Sequence, residues 1–251
     1  MKRFLYRASR WLKQANYWLI ARAALTLLWL LRKLPPDRAM DFAGRMARRL
    51  GPLSGRHGIA LDNLRLAYPE LDESRRREIA LDMWENMARL GAEYIFLEQL
   101  FDFDPNTVES DRVEVVGVER FQRIREEKKP HILFTGHLGN FELLPVAAAS
   151  FDLDLAVMFR PPNNPYIADY VFSTRRSAMG RMLASAPGVA FALSRVLEAG
   201  GNIGVLVDQK FNGGLLTTFF DRPCETSPLV ARLARHYDCE DRQSTSLQYS
   251  H

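Results

Sequence analysis

A chain of 251 residues, 47% hydrophobic, is long enough to bury a sizeable core as one large domain or two small ones, and it contains no repeats or low-complexity tracts. Its formal net charge of +4 is a mild basic excess that suits a membrane surface or an acidic partner, and it gives no argument for nucleic acid. The two cysteines, Cys224 and Cys239, have neither metal-ligand spacing nor a disulfide framework, and they read as reduced thiols facing a cytoplasm.

Residues 1–34 open with Lys2, Arg3, Arg7, Arg10 and Lys13 and then run apolar from Ala15 to Leu31, broken by Arg22. The run is short for a comfortable span, and Arg22 is costly at a bilayer centre. No small-residue cleavage site follows, so it is not a cleaved signal peptide. Two readings stay open: a single spanning anchor, or a helix at the interface with Trp11, Trp18 and Trp29 at headgroup level. A buried core helix ranks third, because Leu25–Leu31 is apolar on every face apart from Thr26.

Pro35-Pro36-Asp37 ends that helix and starts another over Asp37–Leu50, with Met40, Ala43, Met46, Ala47 and Leu50 on one face. Ile59–Leu66 reads as a short helix. Asp72–Leu100 reads as one long amphipathic helix capped by Asp72, with its apolar residues three or four apart. After Pro105 the pattern alternates. Strands are expected at Arg112–Val116, Ile132–Phe134, Leu153–Phe159, Met182–Ser185, Ile203–Val207 and Leu215–Phe220. Helices are expected at Val118–Glu127, from about Asn140, at Asn164–Met179, at Val189–Ala199 and at Pro228–Tyr237. The fold class is therefore α/β, a mixed sheet flanked by helices behind a helical N-terminal part. The domain boundaries are an anchor at 1–34, an α/β domain at 35–239 and a tail at 240–251.

The organising stretch is His131 to Glu142, H-I-L-F-T-G-H-L-G-N-F-E. It reads as a buried strand, a turn bracketed by Gly136 and Gly139, and a helix start, which places His137 where α/β proteins keep their chemistry. Glu142, in the first helical turn, is within reach of the imidazole. A carboxylate on one ring nitrogen fixes the tautomer and frees the other nitrogen to accept a proton. Taken alone, a histidine beside an apolar strand is more often structural, and a glutamate in a first turn is commonly there for the helix dipole. His137, Arg160 and Asp208 each follow a strand, so one sheet edge can gather all three.

Gly136-His137-Leu138-Gly139-Asn140-Phe141-Glu142 resembles the H-x4-[D/E] signature of glycerolipid-type acyltransferases, and most of all the late lipid A biosynthesis acyltransferase family (lauroyl/myristoyl acyltransferases). Phe159-Arg160-Pro161-Pro162-Asn163-Asn164-Pro165 is similar to that family's Arg-Pro block. Val205–Lys210 and Thr218–Pro223 are similar to its Asp-Gln and Phe-Phe-x-x-Pro blocks, with Asp221 where the family often has Gly. The resemblance implies a glycerolipid-acyltransferase-like fold with an N-terminal membrane anchor at the bacterial inner membrane, the catalytic domain on its cytoplasmic side. It also implies an acyl carrier protein as donor and a lipid A precursor as acceptor. It implies further elements beyond about Cys239, so the chain reads as truncated there, with a polar tail from Glu240 that buries too little to order itself.

Acyl transfer to an alcohol needs a base for the hydroxyl and a stabiliser for the oxyanion. His137 is the expected base and Glu142 its orienting partner. Arg160 is the expected cation for a phosphate or oxyanion. Asp208, Asn140, Gln209 and Lys210 are expected to support substrate binding. No serine or cysteine nucleophile stands beside the dyad, which favours direct attack. No cofactor is expected, and His131 and His137, separated by an apolar strand, make no zinc pair. Two competitors remain: a hydrolase using the same dyad on a thioester or ester, and a catalytically silent membrane-binding protein.

Overall fold

The computed structural model describes residues 2–102, 112–113, 115–127, 129–178, 180–237 and 240–243. The first part is helical: α1 (Lys2–Leu31), α2 (Pro36–Leu50), α3 (Gly55–Ala67), α4 (Glu73–Glu93) and the short α5 (Leu97–Leu100). Asp72 caps α4 as expected, its carboxylate accepting the Arg75 N–H at 2.7 Å. The expected helix from Asp72 to Leu100 is broken after Glu93. Tyr94-Ile95-Phe96 is a run of poor helix formers, and burying Ile95 and Phe96 against Leu31, Ala39 and Met40 outweighs continuing the helix.

The second part is α6 (Val118–Glu126), β1 (His131–Thr135), α7 (Leu143–Ser150), β2 (Leu155–Phe159), α8 (Pro165–Ala178), β3 (Arg181–Ala184), α9 (Val189–Glu198), β4 (Asn202–Leu206), β5 (Lys210–Phe219), β6 (Arg222–Thr226), α10 (Leu229–Tyr237) and β7 (Glu240–Gln243). Among the described residues the main sheet has the order β3-β2-β4-β1-β7, and every pairing in it is parallel. One face packs Ile132, Ala156, Ile203 and Val205 against Leu193 and Leu197 of α9 and Leu233 of α10. The other packs Leu133 and Leu155 against Ile124 of α6 and Ala148 of α7. Helices on both faces suit the near-continuous apolar strands of a parallel sheet.

Four expectations change. Among the described residues the sheet is parallel rather than mixed, and the antiparallel pairing is confined to a separate β5–β6 hairpin. The sequence hides β6: Pro223 argues against a strand, and the connecting turn is Phe220-Asp221 rather than an Asn-Gly pair. Both turn residues have positive φ, 48° and 55°, so Asp221 adopts the left-handed conformation that favours glycine. Residue 114 lies outside the described residues, and the rest of Arg112–Val116 forms no strand; Val113 is buried in the core and Arg112 ion-pairs with Asp37 at 2.9 Å. Glu240–Gln243, expected to begin a disordered tail, pairs as β7 with β1 from His131↔Glu240 to Phe134↔Gln243. Backbone pairing at a sheet edge does not depend on apolar side chains, and α10 returns the chain to that edge. The remainder of that segment, 244–251, lies outside the described residues.

Among the described residues no helix is long and apolar enough to cross a membrane, so the spanning reading of residues 1–34 is not supported. Asn16, Arg22 and Thr26 dilute the apolar run. α1 instead docks on the domain: Asn164 Nδ2 donates to the Tyr17 carbonyl at 2.7 Å, and Ala21 and Leu31 are buried. Trp11, Trp18, Leu19, Trp29 and Leu30 stay exposed.

Candidate active site

The register of the two central strands builds the site. Thr135 stands opposite Leu206, and the Val207 N–H donates to the Thr135 carbonyl at 3.0 Å. Two residues further along each chain, His137 is therefore level with Asp208. The Asp208 carboxylate accepts from the His137 backbone N–H at 2.6 Å and bonds the ring Nδ1 at 2.7 Å. Gly136 permits the approach, since a Cβ there would lie 3.0 Å from Asp208 Oδ2. Burial opposes ionisation of Asp208, but the hydrogen bonds from the His137 ring and backbone outweigh it and hold the carboxyl below its usual range. On the other side of the ring, Gln209 Nε2 is 3.1 Å from His137 Nε2. The ionised Asp208 carboxylate only accepts, so Nδ1 carries the proton toward it, and the Gln209 NH2 group then donates to an Nε2 lone pair. Phe141 packs edge-on against the imidazole, with centroids 4.7 Å apart.

The carboxylate on His137 is thus Asp208 and not the expected Glu142. Glu142 sits at the start of α7, its N–H bonded to Asn140 Oδ1 at 3.1 Å, and its own carboxylate pairs with Arg175 of α8. The five-residue spacing brings Glu142 near the imidazole in sequence, but the turn through Gly139, at φ 52°, directs it to the buried side. Burial pushes the Glu142 carboxyl up, while the Arg175 guanidinium and the nearby His137 pull it partly back. Asn140 is buried and donates to Glu93 at 2.8 Å, tying the turn to the end of α4. Arg175 also lies over the rings of Tyr94 and Phe159, at 5.5 and 5.4 Å. Burial pushes the Tyr94 hydroxyl up.

A cleft of about 420 Å³ opens beside this second cluster. α1, α4 and α8 give it mostly apolar walls that include Tyr94 and Tyr170, and Glu142, Arg160 and Arg175 also line it. His137 does not line the cleft; Phe141 stands between them, touching both. A narrow apolar void of about 40 Å³ continues beneath Phe141, Glu142 and Arg175 against the sheet.

The sequence-chosen residues therefore fall into two groups. His137, Asp208 and Gln209 form one, and Asn140, Glu142 and Arg160 belong to the other. Lys210 is exposed at the start of β5 and joins neither. Arg175 was missed, because an arginine inside an amphipathic helix reads as a solvated residue; its place in the same helix that follows the Arg-Pro block was the available signal. Among the described residues no group of His, Cys, Asp and Glu could hold a metal ion.

No curated protein matches the chain significantly. The family profile described as bacterial lipid A biosynthesis acyltransferase matches residues 7–242, nearly the whole chain, so the protein belongs to that family.

Proposed function

We propose that the protein transfers a fatty acyl group from acyl carrier protein to a hydroxyl of a lipid A precursor, with His137 as general base and Asp208 as its orienting carboxylate. The observation that carries this is the hydrogen-bonded line Asp208–His137–Gln209 at the carboxyl ends of two adjacent parallel strands. The Nδ1 proton held by Asp208 leaves Nε2 as the basic nitrogen, and a substrate hydroxyl displaces the Gln209 amide from it. Nε2 takes the hydroxyl proton as the oxygen attacks the thioester carbon, and the resulting imidazolium returns a proton to the leaving thiol. Asp208, held ionised, stabilises that imidazolium. A positioned base of this kind contributes about 10²–10⁴-fold in rate. Arg160, which lines the cleft, offers a bidentate fork to a phosphate or to the developing oxyanion.

The site of action is the cytoplasmic face of the bacterial inner membrane. The exposed Trp11, Trp18 and Trp29 of α1, with Arg10 and Lys13 on either side of Trp11, support an interfacial seat for that helix. Arg22 lies over the Trp18 ring at 5.5 Å, an arrangement that lets its charge stay at headgroup level.

The deciding assay supplies membranes, a panel of acyl-carrier-protein donors and a lipid A precursor, and reads the mass of the product. Wild-type protein should add one acyl chain to the precursor, and folded His137→Ala should lose most of that transfer. Near-normal transfer by His137→Ala removes the base from the mechanism. Release of free fatty acid with no lipid product assigns a hydrolase instead.

A further inference from the structure

We infer that Glu93, the last residue of α4, is a positioning residue for the His137 base, acting through Asn140 on the turn that carries the imidazole. The inference deepens the acyltransferase reading and rests on it, by giving the helical N-terminal part a role in the site.

Glu93 is out of place on local grounds. Its carboxylate ends a helix, where the macrodipole disfavours an acid, and α4 has no basic residue in its last turn to offset it. The residue is 7% exposed, and burying a carboxylate costs free energy unless hydrogen bonds replace its water. Neither the dipole nor burial favours an acid there, but the bond it accepts does. Asn140 Nδ2 donates to Glu93 Oε2 at 2.8 Å across 47 residues of chain. Asn140 Oδ1 accepts the Glu142 N–H at 3.1 Å, and the Asn140 carbonyl accepts the Leu143 N–H at 3.1 Å. The two ends of an asparagine amide are nearly the same shape, so a neighbour must choose between them. A carboxylate that accepts from Nδ2 turns Oδ1 toward Glu142, whereas the reversed amide would set two donors face to face. Glu93 thus fixes the side chain from which α7 starts.

The imidazole depends on that fixing. Gly136 and Gly139 give the turn backbone freedom, and Gly139 uses it at φ 52°. Asp208 pins the turn on one side, through the His137 N–H at 2.6 Å. Asn140 pins it beyond Gly139, and the next residue, Phe141, lies edge-on to the imidazole with centroids 4.7 Å apart. Both pins together keep the ring in line with Asp208 and Gln209, and a base has to stay within about 0.5 Å of its productive place.

The test compares Glu93→Ala and Glu93→Asp with a swap, Glu93→Gln together with Asn140→Asp. Glu93→Asp keeps the charge and withdraws the carboxylate by one methylene, so it guards against an Ala variant that fails to fold. The swap exchanges donor and acceptor and keeps both hydrogen bonds, since each oxygen of the new carboxylate can accept one. Two quantities are read besides the melting temperature: kcat and KM for the lipid precursor, and the low-field Nδ1 proton of His137 in protein carrying isotope-labelled histidine, assigned by its absence in His137→Ala. Glu93→Ala and Glu93→Asp should lower kcat by up to about 10²-fold with KM little changed, and should broaden the Nδ1 proton by exchange with water. The swap should restore both. A purely structural role lowers the melting temperature while kcat per folded molecule and the Nδ1 proton stay as in wild type, and that result overturns the inference. So does a folded swap that recovers stability without recovering the resonance. The resonance needs no acyl donor or acceptor. If wild type transfers no acyl chain but the proton broadens and recovers as expected, the acyltransferase reading fails and the positioning of His137 by Glu93 stands.

Discussion

Two carboxylates flank the same glycine turn, and they live in opposite environments. Asp208 sits at the open ends of β1 and β4, its side chain 40% exposed, and is satisfied by two hydrogen bonds from His137. Glu142 sits behind the turn, its side chain 10% exposed, against an arginine that is 12% exposed. Hydrogen bonding holds the first below the usual carboxylate range; burial drives the second above it. Neighbouring titratable groups whose environments push their pKa values apart usually divide the labour of a site. The division proposed for this protein is proton handling at Asp208–His137 and cleft lining at Glu142–Arg175, with Phe141 as the wall between.

The comparison breaks most clearly on activity. Asp208→Asn should cost on the order of 10²-fold or more in kcat, because an amide can stabilise the wrong imidazole tautomer. Glu142→Gln should cost much less in kcat and act mainly on KM for the lipid substrates. Equal losses of kcat from the two substitutions would return Glu142 to the imidazole.

Stability sharpens it next. Arg175→Met leaves Glu142 buried without its partner, and breaking such a pair costs about 3–5 kcal/mol. Urea unfolding at neutral pH reads this directly. Exposed Asp208 should show no loss of that size when changed to Asn.

The pH dependence separates the two carboxylates by sign. Asp208 binds its proton less readily in the fold, so its contribution is present above the unfolded pKa and is lost as pH falls through the lower folded value. Glu142 binds its proton more readily in the fold, so its contribution is present below the unfolded pKa and is lost as pH rises through the higher folded value. Urea midpoints of wild type against Asp208→Asn should therefore converge toward acid pH. Those of wild type against Glu142→Gln should shift in the opposite direction, across a window above the usual carboxylate range. Slopes of the same sign would deny the difference in environment.

The smallest effect belongs to Lys210, which touches neither cluster. Lys210→Ala should change stability by no more than about 0.5 kcal/mol and leave transfer near wild type. A large loss in the mass-read assay would give this lysine a substrate contact that the folded chain does not suggest.

Periodicity and turn chemistry made most elements legible, since helix and strand spacing and the Asp72 cap are local properties of the chain. The position of His137 after an apolar strand was legible for the same reason, and so were Arg160 and Asp208 after theirs. Which carboxylate meets the imidazole was not local. Glu142 is five residues from His137 and Asp208 is 71, yet the parallel register Thr135↔Leu206 puts the distant one alongside. Nothing in the spacing of either strand fixes that register, because it comes from burying both strands' apolar residues under α7, α9 and α10. Arg175 was hidden for a related reason: its helix is amphipathic by pattern, and only the packing of α8 against α7 and the end of α4 turns a would-be surface arginine into a buried donor. Sequence thus determined the residue types and their local turns, while the tertiary structure decided the pairings, because those depend on which buried surfaces meet.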